Sequence, residues 1–279
     1  GGFSKSAQFP LHFWLPGAMA APTPASAFLH SATMVKAGIY LLARLYPVLA
    51  NTPLWTTALT LIGLTTLLVG VVLALRQRDL KGILAFSTIS QLGALVALIG
   101  LPDSAGIKAA MLGILAHALY KAALFLIAGA IDHATGTRNI DELGGLRRLA
   151  PGLALAAAVA GLSMAGVPPL LGFVSKETLL EAMIEQPLLL AVVVLSAVLT
   201  VTVALRLFWD VFMGKTRIPL PVEEHGEHDR HHPYGDDAYD YSHFHPLPPG
   251  MVAAPGALAL LSIVFGLGIG ALVTPVISL

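Results

Sequence analysis

Cysteine is missing altogether from these 279 residues, and acidic and basic side chains together make up only 11% of them. The first absence excludes disulfides, thiolate metal sites and Cys-ligated iron–sulfur clusters within the chain, so any redox chemistry would belong to a partner. The second excludes an ordinary soluble globule, for which roughly 25% charged residues is usual. Sixteen basic residues balance 16 acidic ones, leaving no excess positive charge with which to bind nucleic acid. With 56% hydrophobic residues, the composition describes a polytopic membrane protein. Lipid leaves helices as the natural way to satisfy such a backbone, so the expected class is all-α. The opening GGFSKSAQFP has neither an initiator Met nor the charged and apolar regions of a signal peptide. The chain is therefore expected to be the interior of a longer polypeptide.

A hydropathy reading at about 20 apolar residues per crossing predicts a partly buried first segment at 4–19. Full crossings follow at 22–45, 54–75, 80–100, 107–131, 151–183, 188–213 and 252–277. Arg76, Arg78, Arg138, Arg147, Arg148, Lys215 and Arg217 fall in one set of loops, whereas the opposite set holds little beyond Arg44 and Lys108. The positive-inside rule assigns the first set to the cytoplasm and ends the last helix outside. Two segments carry helix breakers: 4–19 contains Pro10 and Pro16, and 151–183 contains GVPPLLG at 166–172. In lipid, the carbonyls freed by a break must find partners in protein or water. Paired interrupted helices point to an inverted-repeat transporter, with simple packing kinks as the alternative.

Lysines lie where an apolar span should have no charge. Lys36, Lys81, Lys121 and Lys176 sit in or just inside long apolar runs, and Lys5 opens the first one. An ionisable group at that depth costs at least ~2.5–3.5 kcal/mol on insertion scales, so it marks a proton or ion pathway. His117 and Lys121 are spaced i,i+4 and share one helix face. His30 and Lys36 differ by about 120° at ~100° per residue and should meet different neighbours. Thr88 returns to the face of Lys81, among Ser87, Ser90 and Gln91, where such groups can order water or hold helices together. Lys81 and Lys5 lie near span ends, which leaves snorkelling as the alternative for both. Glu177, Glu181 and Glu185 follow Lys176 on one face, as an outer exit or as a solvated helix end. Arg206 and Asp210, spaced i,i+4, are read as a structural ion pair.

The segment VEEHGEHDRHHPYGDDAYDYSHFHPLPPG contains His225, His228, His231, His232, His243 and His245. Histidine-rich tracts can bind zinc or nickel, but no HExxH or other ligand spacing fixes a coordination geometry here. The expectation is a flexible cytoplasmic loop with no metal and no cofactor.

Four stretches resemble one family. The run SKSAQFPLHFWLPGAMAAPTPASAFLHSATMVKAGIYLLARL at 4–45, DLKGILAFSTISQLG at 79–93, LAHALYKAALFLIAG at 115–129 and GFVSKE at 172–177 are similar to the proton-translocating module shared by respiratory complex I and Mrp-type Na+/H+ antiporters. The wording of residues 8–38 and the loop DHATGTRNIDELGGL at 132–146 resemble the large A subunit of the antiporters more than complex I.

The resemblance implies an antiporter-like inverted-repeat helical bundle with two interrupted helices. Residues 1–50 would end a first repeat, 51–215 would form a second five-helix repeat, 216–250 a cytoplasmic loop and 251–279 a closing helix. It implies a proton path through Lys5, His30, Lys36, Lys81, His117, Lys121 and Lys176, with Thr88, Glu177 and Glu181 as secondary members. Lys5 matches a channel lysine whose carboxylate partner would lie upstream. The implied function is Na+/H+ exchange by a secondary transporter in the bacterial cell membrane. Its partners would be other subunits of a hetero-oligomeric complex, lipid, protons and monovalent cations. The alternative is a proton-pumping subunit of complex I or of a membrane-bound hydrogenase, driven by a redox partner.

Overall fold

The computed structural model describes residues 1–215 and 244–272, and every regular element among them is helical. The chain begins with two single turns, α1 (Gly2–Lys5) and α2 (Trp14–Gly17), followed by a 3-10 turn at Ala18–Ala20. Helix α3 (Thr23–Ser26) runs through a π turn at Ala27–Ala32 into α4 (Met34–Leu49). Then come α5 (Pro53–Arg76), α6 (Leu80–Ile99) and α7 (Ser104–Thr135). Beyond these lie α8 (Pro151–Ala165), α9 (Leu171–Glu181), α10 (Pro187–Phe212) and α11 (Pro249–Leu272). Among the described residues, six helical stretches are long and apolar enough to cross a membrane, and α8 and α9 are each too short to do so alone.

Six of the seven expected crossings coincide with these stretches, the last as far as the described residues reach, whereas 151–183 is the pair α8 and α9. The interruption expected in 4–19 is present: the chain is non-helical between Lys5 and Trp14, and Ala7 adopts φ 49° there. The segment 22–45, however, is not continuous. Ser31 Oγ donates to Ala27 O, Thr33 Oγ1 donates to Phe28 O at 3.1 Å, and Thr33 leaves helical geometry at φ −123°, ψ −81°. Hydroxyls that bond to nearby carbonyls offer the backbone an alternative to the regular ladder. No Gly or Pro marks this break, so it carries no strong sequence signal.

The expected break in 151–183 is present and has a defined geometry. Gly166 takes φ +80°, its N–H donates to Ser163 O at 3.1 Å, and the Val167 N–H donates to Leu162 O at 3.0 Å. This pair of bonds is the Schellman arrangement that ends a helix on a left-handed glycine. It satisfies two late carbonyls of α8 and leaves Ala165 O for another donor.

Helices α5 and α6 pack closest. A Cβ on Gly93 would lie 2.5 Å from Leu67 N and 2.6 Å from Gly63 O, so only hydrogen fits between the two backbones. Prolines at the first turns of α5, α8 and α10 are accommodated because those N–H groups have no helical partner. The caps of α6 and α7 are aspartates: Asp79 accepts from the Gly82 N–H at 3.1 Å and Asp103 from the Ala105 N–H at 3.3 Å.

The arginine-bearing loops gather at one end. Arg138 pairs with Asp79 at 3.2 Å, Arg78 pairs with Asp141, and the Gly145 N–H donates to Met213 O at 2.8 Å. In the same loop, hydrogen bonds from Thr137 and Asn139 hold the Glu142 carboxyl below its usual range. Arg206 and Asp210 form the expected pair at 3.4 Å, and Arg206 also donates to Leu75 O at 2.5 Å, fastening α10 to the end of α5. Gly93→Val should lower the thermal stability and yield of the assembled protein by the roughly 1–3 kcal/mol typical of overpacking, or more because backbone is struck. A melting curve in detergent would show this.

Candidate functional site

Lys121 and Lys81 are 1% and 2% exposed, Lys36 6%, His30 1% and His117 0%, which places five ionisable side chains inside the bundle. Each buried ammonium donates to a backbone carbonyl, in two cases at or beside an irregularity. Lys36 Nζ donates to Ser31 O at the end of the π turn and to Ile114 O of α7 at 3.1 Å. Lys81 Nζ donates at 2.9 Å to Ala21 O, in the extended residue that follows the 3-10 turn. Lys176, half-buried, reaches back from α9 to the orphan Ala165 O at 2.9 Å. Its Cδ passes where a Cβ on Gly166 would stand, 2.5 Å away, so this glycine is required both for its φ and for the lysine's path. Lys121 Nζ bonds to Ser87 Oγ and, at 3.2 Å, to Leu84 O, within α6.

These bonds give the lysines a line of succession. Ile114, His117 and Lys121 lie on one face of α7, and the field of both Lys36 and Lys121 reaches His117. Neither imidazole nitrogen of His117 makes a well-aligned hydrogen bond among the described residues, and its ring meets Tyr120 edge-on at 5.5 Å. His117 therefore stands between two ammonium groups, close to the Ser31 backbone oxygen that also accepts from Lys36 Nζ. One turn back, Gly113 faces Ser175 of α9, the residue before Lys176. Thus α7 touches the Lys36 break on one side and the helix of Lys176 on the other.

His30 and Lys36 do meet different neighbours, His30 lying against Trp14 with ring centroids 6.3 Å apart. Lys81 is buried and bonded to Ala21 O rather than extended to solvent. Thr88 Oγ1 donates to Leu84 O at 2.8 Å within its own helix. Glu177, Glu181 and Glu185 are exposed and form no ion pair among the described residues. Lys5 is exposed at the end of α1, also with no ion-pair partner among the described residues. His225, His228, His231, His232 and His243 lie outside the described residues, and the His245 N–H donates to Ala134 O at 2.9 Å.

The lysines and histidines were visible as misplaced charges; their acceptors were not. Ala21, Ser31, Leu84 and Ala165 contribute only a backbone oxygen, which has no residue-type signature. Ser87 was visible within a run of hydroxyls but not as the partner of Lys121.

Buried ammonium groups joined to broken helices, in a bundle with six candidate crossings, define a multi-pass membrane protein of antiporter-like architecture. Residues 1–201 match the family described as NADH:quinone oxidoreductase/Mrp antiporter, TM, and the chain belongs to that family. It is 50% identical to a probable K(+)/H(+) antiporter A/B subunit of Rhizobium meliloti, over 81% of this chain and 23% of that protein. It is 42% identical to the Na(+)/H(+) antiporter A subunit of Alkalihalophilus pseudofirmus, over 95% of this chain and 34% of that one. The chain thus spans between about a quarter and a third of the length of these relatives. Among solved structures, the Mrp complex from Dietzia sp. matches with a TM-score of 0.82 at 40% identity, covering 99% of this chain and 28% of that one. A membrane-bound sulfane sulfur reductase, an archaeal respiratory membrane complex, matches with a TM-score of 0.80 at 29% identity, covering 95% of this chain and 43% of that one.

The burial pattern makes a direct prediction. Brief treatment of the native protein with an amine-reactive ester should label Lys108 and Lys215, both exposed, and spare Lys36, Lys81 and Lys121. Peptide mass spectrometry reads this, and early labelling of Lys121 would contradict its burial.

Proposed function

We propose that this chain is a proton-translocating part of a monovalent cation/H+ antiporter, with Lys36, His117, Lys121 and Lys176 as the core of its proton path. The observation that carries the reading is His117, buried between Lys36 and Lys121 on α7 beside the Ser31 backbone oxygen that also accepts from Lys36 Nζ. A neutral imidazole accepts a proton at one nitrogen and releases one from the other, which suits it to stand between two amines. Protonation of one site disfavours charge on the next by like-charge repulsion. A change at one end is thereby passed along the row without any large movement.

The repeat boundaries follow the same reading. Residues 1–50 end one inverted repeat, 51–215 hold a five-membered second repeat in which α8 and α9 count as one broken helix, and α11 is the closing helix; most of the expected loop at 216–250 and the end of the segment 251–279 lie outside the described residues. Lys5, His30 and Lys81 extend the path towards the preceding repeat, with Thr88, Glu177 and Glu181 as secondary members. The protein acts as part of a transporter rather than as an enzyme, in a hetero-oligomeric complex of the bacterial cell membrane. Relatives named for Na+ and for K+ exchange both support monovalent cation transport, and Na+ is the cation we propose. The likeness to a respiratory complex favours a second reading, in which the same row is driven by a redox partner.

In the complete complex, Lys121→Ala and Lys176→Ala should each reduce Na+-dependent proton exchange to background while leaving assembly intact. Deleting residues 225–232 should change exchange little. Dissipation of a pH gradient in vesicles, driven in turn by Na+, Li+ and K+, measures all three and identifies the cation. An assembled Lys121→Ala complex that exchanges normally would remove this residue from the path. Exchange that needs an electron donor would favour the redox-driven reading.

A further inference from the structure

A second polar cluster lies on the flank of Lys176 away from α7. Between α5, α6, α9 and α10 the structure holds a cavity with about 30 Å³ of room for water, walled in part by Lys176, Gln91, Ser196 and Thr200. A site of roughly 10–15 Å³ on this measure holds one water, so the cavity takes one or two. Ser196 is 2% exposed and Gln91 is half-buried, and both line the cavity. Thr200 Oγ1 donates to Ser196 O at 2.8 Å, which leaves its lone pairs free to accept. Lys176 Nζ has one protein acceptor, Ala165 O, so two of its three ammonium N–H groups remain unassigned. Water fits the volume and serves donors and acceptors together.

We infer that this cavity is a hydration site in which Gln91 and Ser196 hold water against Lys176, giving its proton a way towards α10. The inference rests on the proposed role of Lys176 in the proton path. In the transfer step an N–H bond of the ammonium breaks as an O–H bond forms on the water. A proton leaves the other side of that water for the next acceptor, so charge is conserved and no co-reactant is needed. Gln91 and Ser196 are positioning residues: they orient the water and are not themselves protonated. Gln91, Ser196 and Thr200 come from two helices distant in sequence, so only the packing of α6 against α10 brings them together.

The test compares three substitutions at one position in the complete complex. Ser196→Leu fills the cavity and should cut cation-driven proton exchange by roughly 10²-fold, the scale on which loss of a positioned proton carrier acts. Ser196→Ala keeps the volume without the hydroxyl and should lose less, and Ser196→Thr, which restores the hydroxyl, should recover exchange. A map of the wild-type complex sharp enough to show water should contain density bonded to both Ser196 and Lys176. An empty cavity in that map overturns the inference, even where Ser196→Leu fails to assemble. So does an assembled Ser196→Leu complex that exchanges at the wild-type rate. Lys176→Ala, run alongside, separates the two readings. If it is inactive while Ser196→Leu is active, the proton path stands and the hydration site falls; if both are active, Lys176 leaves the path as well.

Discussion

The structure depends on one recurrent interaction, an ammonium group donating to a backbone carbonyl that a helix irregularity has made available. In water such a bond contributes little, because solvent would serve both groups. In the interior of a membrane bundle neither group has that recourse, and leaving either one unmet costs far more than the bond itself gains. Lysine and irregularity therefore satisfy one another. Lys176 with Ala165 O and Lys36 with Ser31 O are the clearest cases, since the helix stops or widens just where the ammonium arrives.

This mutual dependence has a functional consequence. A carbonyl at the end of a helix carries the negative end of its dipole and favours a nearby cation, whereas burial disfavours the charge. The two effects oppose one another at the same nitrogen. Along α7, His117 stands between Lys36 and Lys121. A single rigid helix fixes the spacing of His117 and Lys121, so their coupling needs no hinge.

The rest of the bundle holds that helix in place. Close backbone approach of α5 and α6 through Gly63 and Gly93 makes a stiff pair, and Ser87 and Leu84 of α6 present their oxygens to Lys121. At the arginine-rich end, Arg138 with Asp79 and Arg206 with Leu75 O tie loops and helix ends together. Charge at the rim is thus used for fastening, whereas the lysines inside the bundle are held by backbone oxygens.

The apolar runs and their breakers located nearly every helix, because burial in lipid demands a length and a composition that few other structures need. GVPPLLG announced the α8–α9 break, since a left-handed glycine beside prolines cannot continue a helix, and Lys121 with His117 announced the site through their cost alone. The π turn at Ala27–Ala32 was not legible: Ser31 and Thr33 are common in membrane helices, and whether a hydroxyl bends its own backbone is settled by neighbours. Nor were the acceptors Ala21 O, Ser31 O, Leu84 O and Ala165 O, because every residue has a carbonyl and only packing decides which one is left over. The sequence by itself determined which side chains are ionisable in a place that resists charge. Tertiary structure alone decided what each of them touches, since the acceptors are brought to them by packing between elements distant in sequence.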